Sequence, residues 1–331
     1  MRTGMRRRDF MAILGGAAAW PFASVAQQSA PRRLGILMAY ASTDVEAKAR
    51  VDAFIAELAK LGWSDGKNIQ LDYRWSGGDT GRIATHAAEL VATKPALILA
   101  ATTPVVRALL KETRSIPIVF LSVSDPVGDR FVESLAQPGG NATGFINIEA
   151  SMAGKWVELA KELSPGLARV CIIFNPKTAA GAGKYFMPPF RTAAQSMQLE
   201  PVALSVQDPA ELERAVASVG KASALIVMPD SYNVVHRGRI IALAAQHRVP
   251  AVYPYRYMAT EGGLMSYGVD LTDMYRRAAS HADRILRGRH PRELPIQAPV
   301  KFELVINNRA ARQLGIEVPP RLLARADEII E

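Results

Sequence analysis

IPIVFLSVSDPVGDRFVESLAQPGGNATGF, residues 116–145, is the stretch on which the reading of this chain turns. It opens with an apolar run, Ile116 to Leu121, of the length and composition of a buried strand. At Ser122, Ser124 and Asp125 the chain turns polar, and Pro126 breaks it. A helical piece is expected next, and the segment closes on Pro138-Gly139-Gly140-Asn141-Ala142-Thr143-Gly144. In an open α/β sheet, ligands bind beyond the carboxyl ends of the strands. Ser122 to Asp125 is therefore a candidate ligand edge. The glycine run is a candidate crossover between domains, because glycine tolerates the backbone angles that a hinge absorbs. The plainer alternative is an ordinary strand, turn and surface loop.

The same rhythm runs outward in both directions. Toward the N-terminus, apolar strands at Leu34 to Met38, Ile69 to Tyr73 and Ala96 to Ala100 alternate with helical periodicity around Val51 to Leu58, Ile83 to Val91 and Val105 to Leu110. Toward the C-terminus, strands at Val170 to Phe174, Val202 to Ser205, Ala224 to Met228 and Ala251 to Tyr253 alternate with helices in the same way. Apolar strands interleaved with amphipathic helices predict parallel sheets covered on both faces. Two blocks of similar length, with 331 residues to fill, predict an α/β protein with two doubly wound parallel-sheet domains and a ligand cleft between them. The chain then turns back through Gly262 to Gly268, a helix over Met274 to Leu286 and a strand over Pro299 to Asn307. The expected boundaries are residues 32–143 plus 269–331 for the first domain and 144–268 for the second. Hinges are expected at Gly139 to Gly144, near Pro254 and near Gly268 to Asp270.

The first 26 residues read as an export signal. Arg7-Arg8-Asp9-Phe10-Met11 resembles a twin-arginine motif, and an uncharged stretch follows from Phe10 to Gln28. Ser24 and Ala26 are small residues at the −3 and −1 positions of a signal-peptidase site, so cleavage after Ala26 and a periplasmic destination are expected. The segment carries four arginines and one aspartate, so the mature chain falls from a net charge of +9 to +6. The remaining charges are scattered in both signs, without the basic run or interleaved aromatics of a nucleic-acid face. Cys171 stands alone in an apolar strand, so neither an intramolecular disulfide nor a lipid-anchor cysteine is expected.

Catalytic constellations are missing from the sequence. The five histidines show no metal-binding spacing, and no Gly-x-Ser-x-Gly elbow occurs. Thr178 to Tyr185 imitates a phosphate loop, but Thr178 stands in place of the first glycine and Tyr185 in place of the magnesium-binding hydroxyl residue. No cofactor and no metal are expected, and the chain reads as a binding protein rather than an enzyme. What remains is a set of polar and aromatic residues at strand ends: Tyr40, Ser42, Thr102, Thr103, Ser122, Asp125, Asn175, Asp230, Tyr253, Tyr267 and Asp270. Hydroxyls, carboxylates and phenol rings suit a small zwitterion with an apolar or aromatic side chain. Thr102 and Thr103 open a helix and suit a carboxylate, while Asp125 or Asp230 suits an ammonium group. Tyr40, Tyr253 and Tyr267 are expected to bracket a side chain. For each residue alone, a local turn or cap is the rival account.

Several segments together resemble the ABC-transporter substrate-binding proteins of the group with tryptophan- and tyrosine-binding members. They are Ala101-Thr-Thr-Pro104, Ile116-Pro-Ile-Val-Phe120, Asp125-Pro-Val-Gly128, Ser134 to Asn141 with Thr143-Gly144, Gly262 to Gly268, Tyr275 to Ala279, Lys301 to Asn307 and Pro319 to Asp327. The likeness spans residues 32–331. It implies a type 1 periplasmic-binding-protein fold with three crossovers and a ligand in the cleft. It also implies delivery of that ligand to a membrane permease driven by a separate ATPase subunit. The ligand is expected to be an amino acid or related carboxylate, with aromatic amino acids the best-known case. No nucleic acid and no direct membrane insertion are expected, and a monomer is. An exported enzyme, a ligand sensor for a membrane receptor and a transcription regulator sharing the fold are the rivals. The last would need a DNA-reading helix-turn-helix where this chain has its export signal.

Overall fold

The computed structural model describes residues 30–331 and shows two lobes, each built on its own sheet. The export segment and its cleavage position lie outside the described residues. The first lobe begins β1 (Arg32–Met38), α1 (Val45–Lys60), β2 (Ile69–Trp75), α2 (Thr80–Ala92), β3 (Leu97–Ala101), α3 (Thr103–Glu112), β4 (Ile118–Val123), β5 (Ala142–Ile146). These five strands are all parallel, in the order β2-β1-β3-β4-β5. Alternation along β1 sends Leu34, Ile36, Met38 and Tyr40 to one face and Leu37 and Ala39 to the other, and each set joins a separate apolar cluster. Asp44 and Asp79 cap α1 and α2, accepting hydrogen bonds from first-turn backbone N–H groups.

The second lobe starts with α4 (Met152–Leu163), β6 (Arg169–Phe174), α5 (Met187–Ser196), β7 (Glu200–Ser205), α6 (Pro209–Ala217) and β8 (Ser223–Val227). It continues with α7 (Ser231–Val235), α8 (Arg237–Gln246), β9 (Ala251–Tyr253), α9 (Arg256–Thr260) and β10 (Met265–Val269). Then α10 (Leu271–Leu286) returns to the first lobe and packs beside α1, burying Met274, Tyr275, Ala278 and Ala282. After it come β11 (Phe302–Asn307), α11 (Asn308–Leu314), α12 (Pro320–Leu323) and β12 (Glu328–Ile330). The seven-stranded sheet runs β12-β11-β10-β9-β8-β6-β7, with only the β10–β11 pair antiparallel.

The topology moves three expected boundaries. The sequence places residues 269–331 in the first lobe, but β11 and β12, over residues 302–330, lie in the second lobe's sheet. Only α10 returns, because its apolar stripe covers the face of the first sheet beside α1. The glycine run ahead of β5 is not a crossover, since β5 pairs with β4 in the first sheet. Gly144 is needed there for close approach: its φ is +155°, and a Cβ would stand 2.0 Å from the Phe120 carbonyl oxygen. Pro254 lies inside the second lobe, between β9 and α9. The chain passes between the sheets over residues 147–151, at Asp270, and over residues 298–301, where Lys301 Nζ meets Asp270 Oδ2 at 3.3 Å. Residues 126–137 form turns rather than the expected helix; Asp125 accepts from the Gly128 N–H (2.8 Å) and starts the turn.

Candidate functional site

The carboxyl ends of both sheets meet at the seam between the lobes. Tyr40 follows β1, Thr102 and Thr103 follow β3, and Ser122 is the next-to-last residue of β4. From the second lobe come Asn175 after β6, Asp230 after β8, and Tyr255 after β9. All but Ser122 are buried, and Ser122 is half-buried. Thr102 and Ser122 hold φ of 91° and 55°, angles rare for residues with a side chain; the Thr102 hydroxyl lacks a hydrogen-bond partner among the described residues, and the Ser122 hydroxyl lies beside that of Tyr275. A strained strand end with an unsatisfied buried hydroxyl is a candidate recognition edge.

Asp230 is the buried carboxylate of the seam. Its Oδ2 accepts from the Asn175 N–H (3.0 Å), and its Oδ1 from the Thr178 hydroxyl (3.1 Å) and the Asn233 N–H (2.9 Å). Burial pushes its carboxyl up to about 6, against the lowering effect of those donors. Across the seam, Ser124 donates to Asn147 Oδ1 (2.9 Å), and Asn147 Nδ2 donates to the Tyr255 hydroxyl (2.8 Å). Burial raises the phenols of Tyr40, Tyr255, Tyr257 and Tyr275 above the usual range, so they act as neutral hydroxyls at pH 7.

Under Tyr40 lies a buried arginine that the sequence alone does not single out. Arg50, on α1, is 1% exposed. Its guanidinium carbon stands 5.3 Å from the Tyr40 ring, 5.4 Å from Tyr257 and 6.0 Å from Tyr275. Tyr255 and Tyr257 stack at 5.6 Å between ring centres. A recess of about 80 Å³ lined by Arg50, Tyr255, Tyr257 and Asp270 reaches this cluster from the crossover side. On the other side, a groove of about 490 Å³ between Pro104, Arg107 and Lys111 of the first lobe and Pro176 and Lys177 of the second forms the mouth of the seam.

Among the described residues, one ion pair joins the lobes directly. Arg237 Nη1 on α8 meets Asp44 Oδ2 on the first lobe at 2.7 Å, with side chains 15% and 10% exposed. The same arginine holds Glu261 of its own lobe at 2.8 Å. Nearby, Gly78 of the first lobe packs so closely on Val235 of α7 that a Cβ would come within 3.1 Å of it.

Four sequence candidates stand apart from this cluster, and a fifth, Asp270, only lines the recess at its edge. Ser42 is exposed in the loop after β1. Asp125 caps its own turn. Tyr253 points into the second lobe's core against Gly263 and Ile241, because residues along β9 alternate and the seam lies past the strand's end. Tyr267 stacks on Phe302 across the β10–β11 ladder at 6.4 Å. Asp270 caps α10 at a crossover; burial would raise its carboxyl, but the Asp273 N–H and Lys301 hold it below the usual range. The seam also gathers Arg50, Asn147, Tyr255, Tyr257 and Tyr275, which strand-end position alone does not single out. A tyrosine two residues beyond a strand end was the one signal available for Tyr255.

Cys171 is buried in β6, and burial pushes its thiol up to about 11, which leaves it an inert core side chain. Among the described residues, no group of three or more His, Cys, Asp or Glu is placed to hold a metal ion, and no helix is long and apolar enough to cross a membrane.

Comparison with known proteins agrees with this architecture. A tyrosine-binding protein of Clostridioides difficile is 28% identical over 268 residues, covering 80% of this chain and 76% of the relative. A conserved domain protein from Vibrio cholerae superposes with a TM-score of 0.83 at 27% identity, over 90% of this chain and 99% of that one. A Streptococcus pneumoniae ABC domain in complex with L-Trp also gives 0.83, at 24% identity, over 91% and 100%. The ligand-free, open structure of a Clostridium difficile substrate-binding protein gives 0.65 at 23% identity, over 90% and 99%. The family model for ABC transporter substrate binding proteins matches residues 41–330. Two parallel-sheet lobes with a polar, tyrosine-rich seam, matched over nearly the whole described length, make this chain a member of the ABC transporter substrate-binding protein family.

Proposed function

We propose that the chain is the exported solute receptor of an ABC uptake system, that it closes its two lobes on an aromatic amino acid, and that it hands this ligand to a membrane permease with a separate ATPase. The observation that carries the reading is the seam itself. The buried hydroxyls of Thr102 and Tyr257, unpartnered among the described residues, and the neighbouring hydroxyls of Ser122 and Tyr275 surround it, with Asp230 facing them from the second lobe. Donors on the first lobe suit an acid group, Asp230 suits an ammonium, and the Tyr40 and Tyr255–Tyr257 rings suit an aromatic side chain. The tyrosine- and tryptophan-related relatives support that ligand class. Binding and release by lobe movement need no catalytic step, so the proposed function is carriage.

Native mass spectrometry of protein purified from cells without refolding tests this. A bound mass matching tyrosine, tryptophan or phenylalanine is expected. A retained sugar or redox cofactor would overturn the reading.

A further inference from the structure

We propose that Arg50 is the carboxylate anchor of the seam, so that a free carboxylate is the part of the ligand this protein cannot do without. The inference rests on the amino-acid reading above and deepens it. Arg50 Nε donates to the Glu46 carbonyl (3.0 Å), which fixes the plane of the guanidinium. Nη1 and Nη2 are buried and have no hydrogen-bond partner among the described residues. The guanidinium stays charged at any physiological pH. A cation buried only to support the fold is ordinarily paired, because an uncompensated buried charge is strongly unfavourable.

The nearby acids are committed elsewhere. Asp44 caps α1 and holds Arg237. Asp270 caps α10 and holds Lys301. Glu46 and Glu303 line the outer recess with Arg256, whose charge Glu328 engages, so an anion is disfavoured on the crossover side and the inferred approach is from the cleft. Tyr40, Tyr257 and Tyr275 surround the guanidinium at 5.3, 5.4 and 6.0 Å, and none of them accepts a hydrogen bond from its two Nη groups. The N–H edge of the guanidinium matches the two oxygens of a carboxylate. Tyr40 and Tyr275 belong to the first lobe and Tyr257 to the second, so Arg50 sits on the line along which the lobes part.

The test titrates the full protein, stripped of ligand, with L-tyrosine and L-tryptophan, their carboxamides, and tyramine and tryptamine. The free acids should bind the parent about 100-fold more tightly than the amides or amines. Arg50→Gln should bring acid and amide within about threefold, and Arg50→Lys should keep part of the preference as a point charge without the fork. Equal binding of acid and amide by the parent overturns the inference, and needs no variant to fold. So does an acid preference that survives in Arg50→Gln. If none of these amino acids binds, the ligand reading fails, and Arg50 is judged by thermal melts with acetate. Protection of the parent but not of Arg50→Gln supports the anchor, while no protection, or equal protection by sulfate, overturns it.

Discussion

Replacing Asp44 with serine should hold the lobes apart. Asp44 does two jobs: Oδ1 caps α1 by accepting from the Ala47 N–H (2.9 Å), and Oδ2 pairs with Arg237 across the seam (2.7 Å). Serine keeps a cap of similar strength, so α1 stays intact and only the interlobe pair is lost. Breaking a buried ion pair by removing one partner costs about 3–5 kcal/mol. Arg237 retains Glu261, with its Nε at 3.0 and 2.8 Å from the two carboxylate oxygens, so roughly half of that loss is expected, about 2 kcal/mol. Because ligand must favour the closed form, this cost appears as a lowered apparent affinity of about 30-fold. Small-angle scattering of the unliganded variant should show a larger radius of gyration than the parent, and calorimetry with L-tyrosine or L-tryptophan a correspondingly weaker dissociation constant. An Asp44→Ser protein with the parent's radius and affinity would refute the role of this pair in closure.

Asp230 should impose a pH dependence. Its folded carboxyl is raised to about 6, so its stabilising contribution is full below the ordinary aspartate pKa and is lost as pH rises through 6. The unliganded parent should therefore gain up to about 3 kcal/mol between pH 7.5 and pH 4 relative to Asp230→Asn in denaturant titrations, while affinity for an ammonium-bearing ligand should fall below pH 6. Tyr255→Phe, which strips the Asn147 side chain of its acceptor, should weaken ligand binding by about 3- to 10-fold in calorimetry, whereas Tyr253→Phe should leave affinity unchanged. Gly144→Ala places a Cβ 2.0 Å from the Phe120 carbonyl and should cost about 2–3 kcal/mol in stability, seen as a lowered melting temperature.

The two sheets were legible in the sequence because their strands are short apolar runs and their helices carry clear stripes; Val170 to Phe174 and Ile118 to Leu121 admit few other readings. Sheet membership was less legible. Nothing local in Phe302 to Asn307 says which sheet it joins, since pairing with β10 is a long-range choice made after α10 has crossed back. Glycine's two roles also look alike in sequence, and Gly144, there for close approach to Phe120, read as a hinge. Strand ends led to Tyr40, Thr102, Thr103, Ser122, Asn175 and Asp230, which gather at the seam because the carboxyl edge of a parallel sheet is fixed by chain direction. Arg50 and Tyr275 were hidden because they sit mid-helix, where an arginine ordinarily reads as exposed and a tyrosine as core.

The measurement that bears most directly on the carrier reading is titration calorimetry of ligand-stripped protein against all twenty L-amino acids and a panel of monosaccharides, with scattering recorded at saturation. One equivalent of an aromatic amino acid should bind, and the protein should compact. No heat from any amino acid, together with binding and compaction on a sugar, would contradict the account.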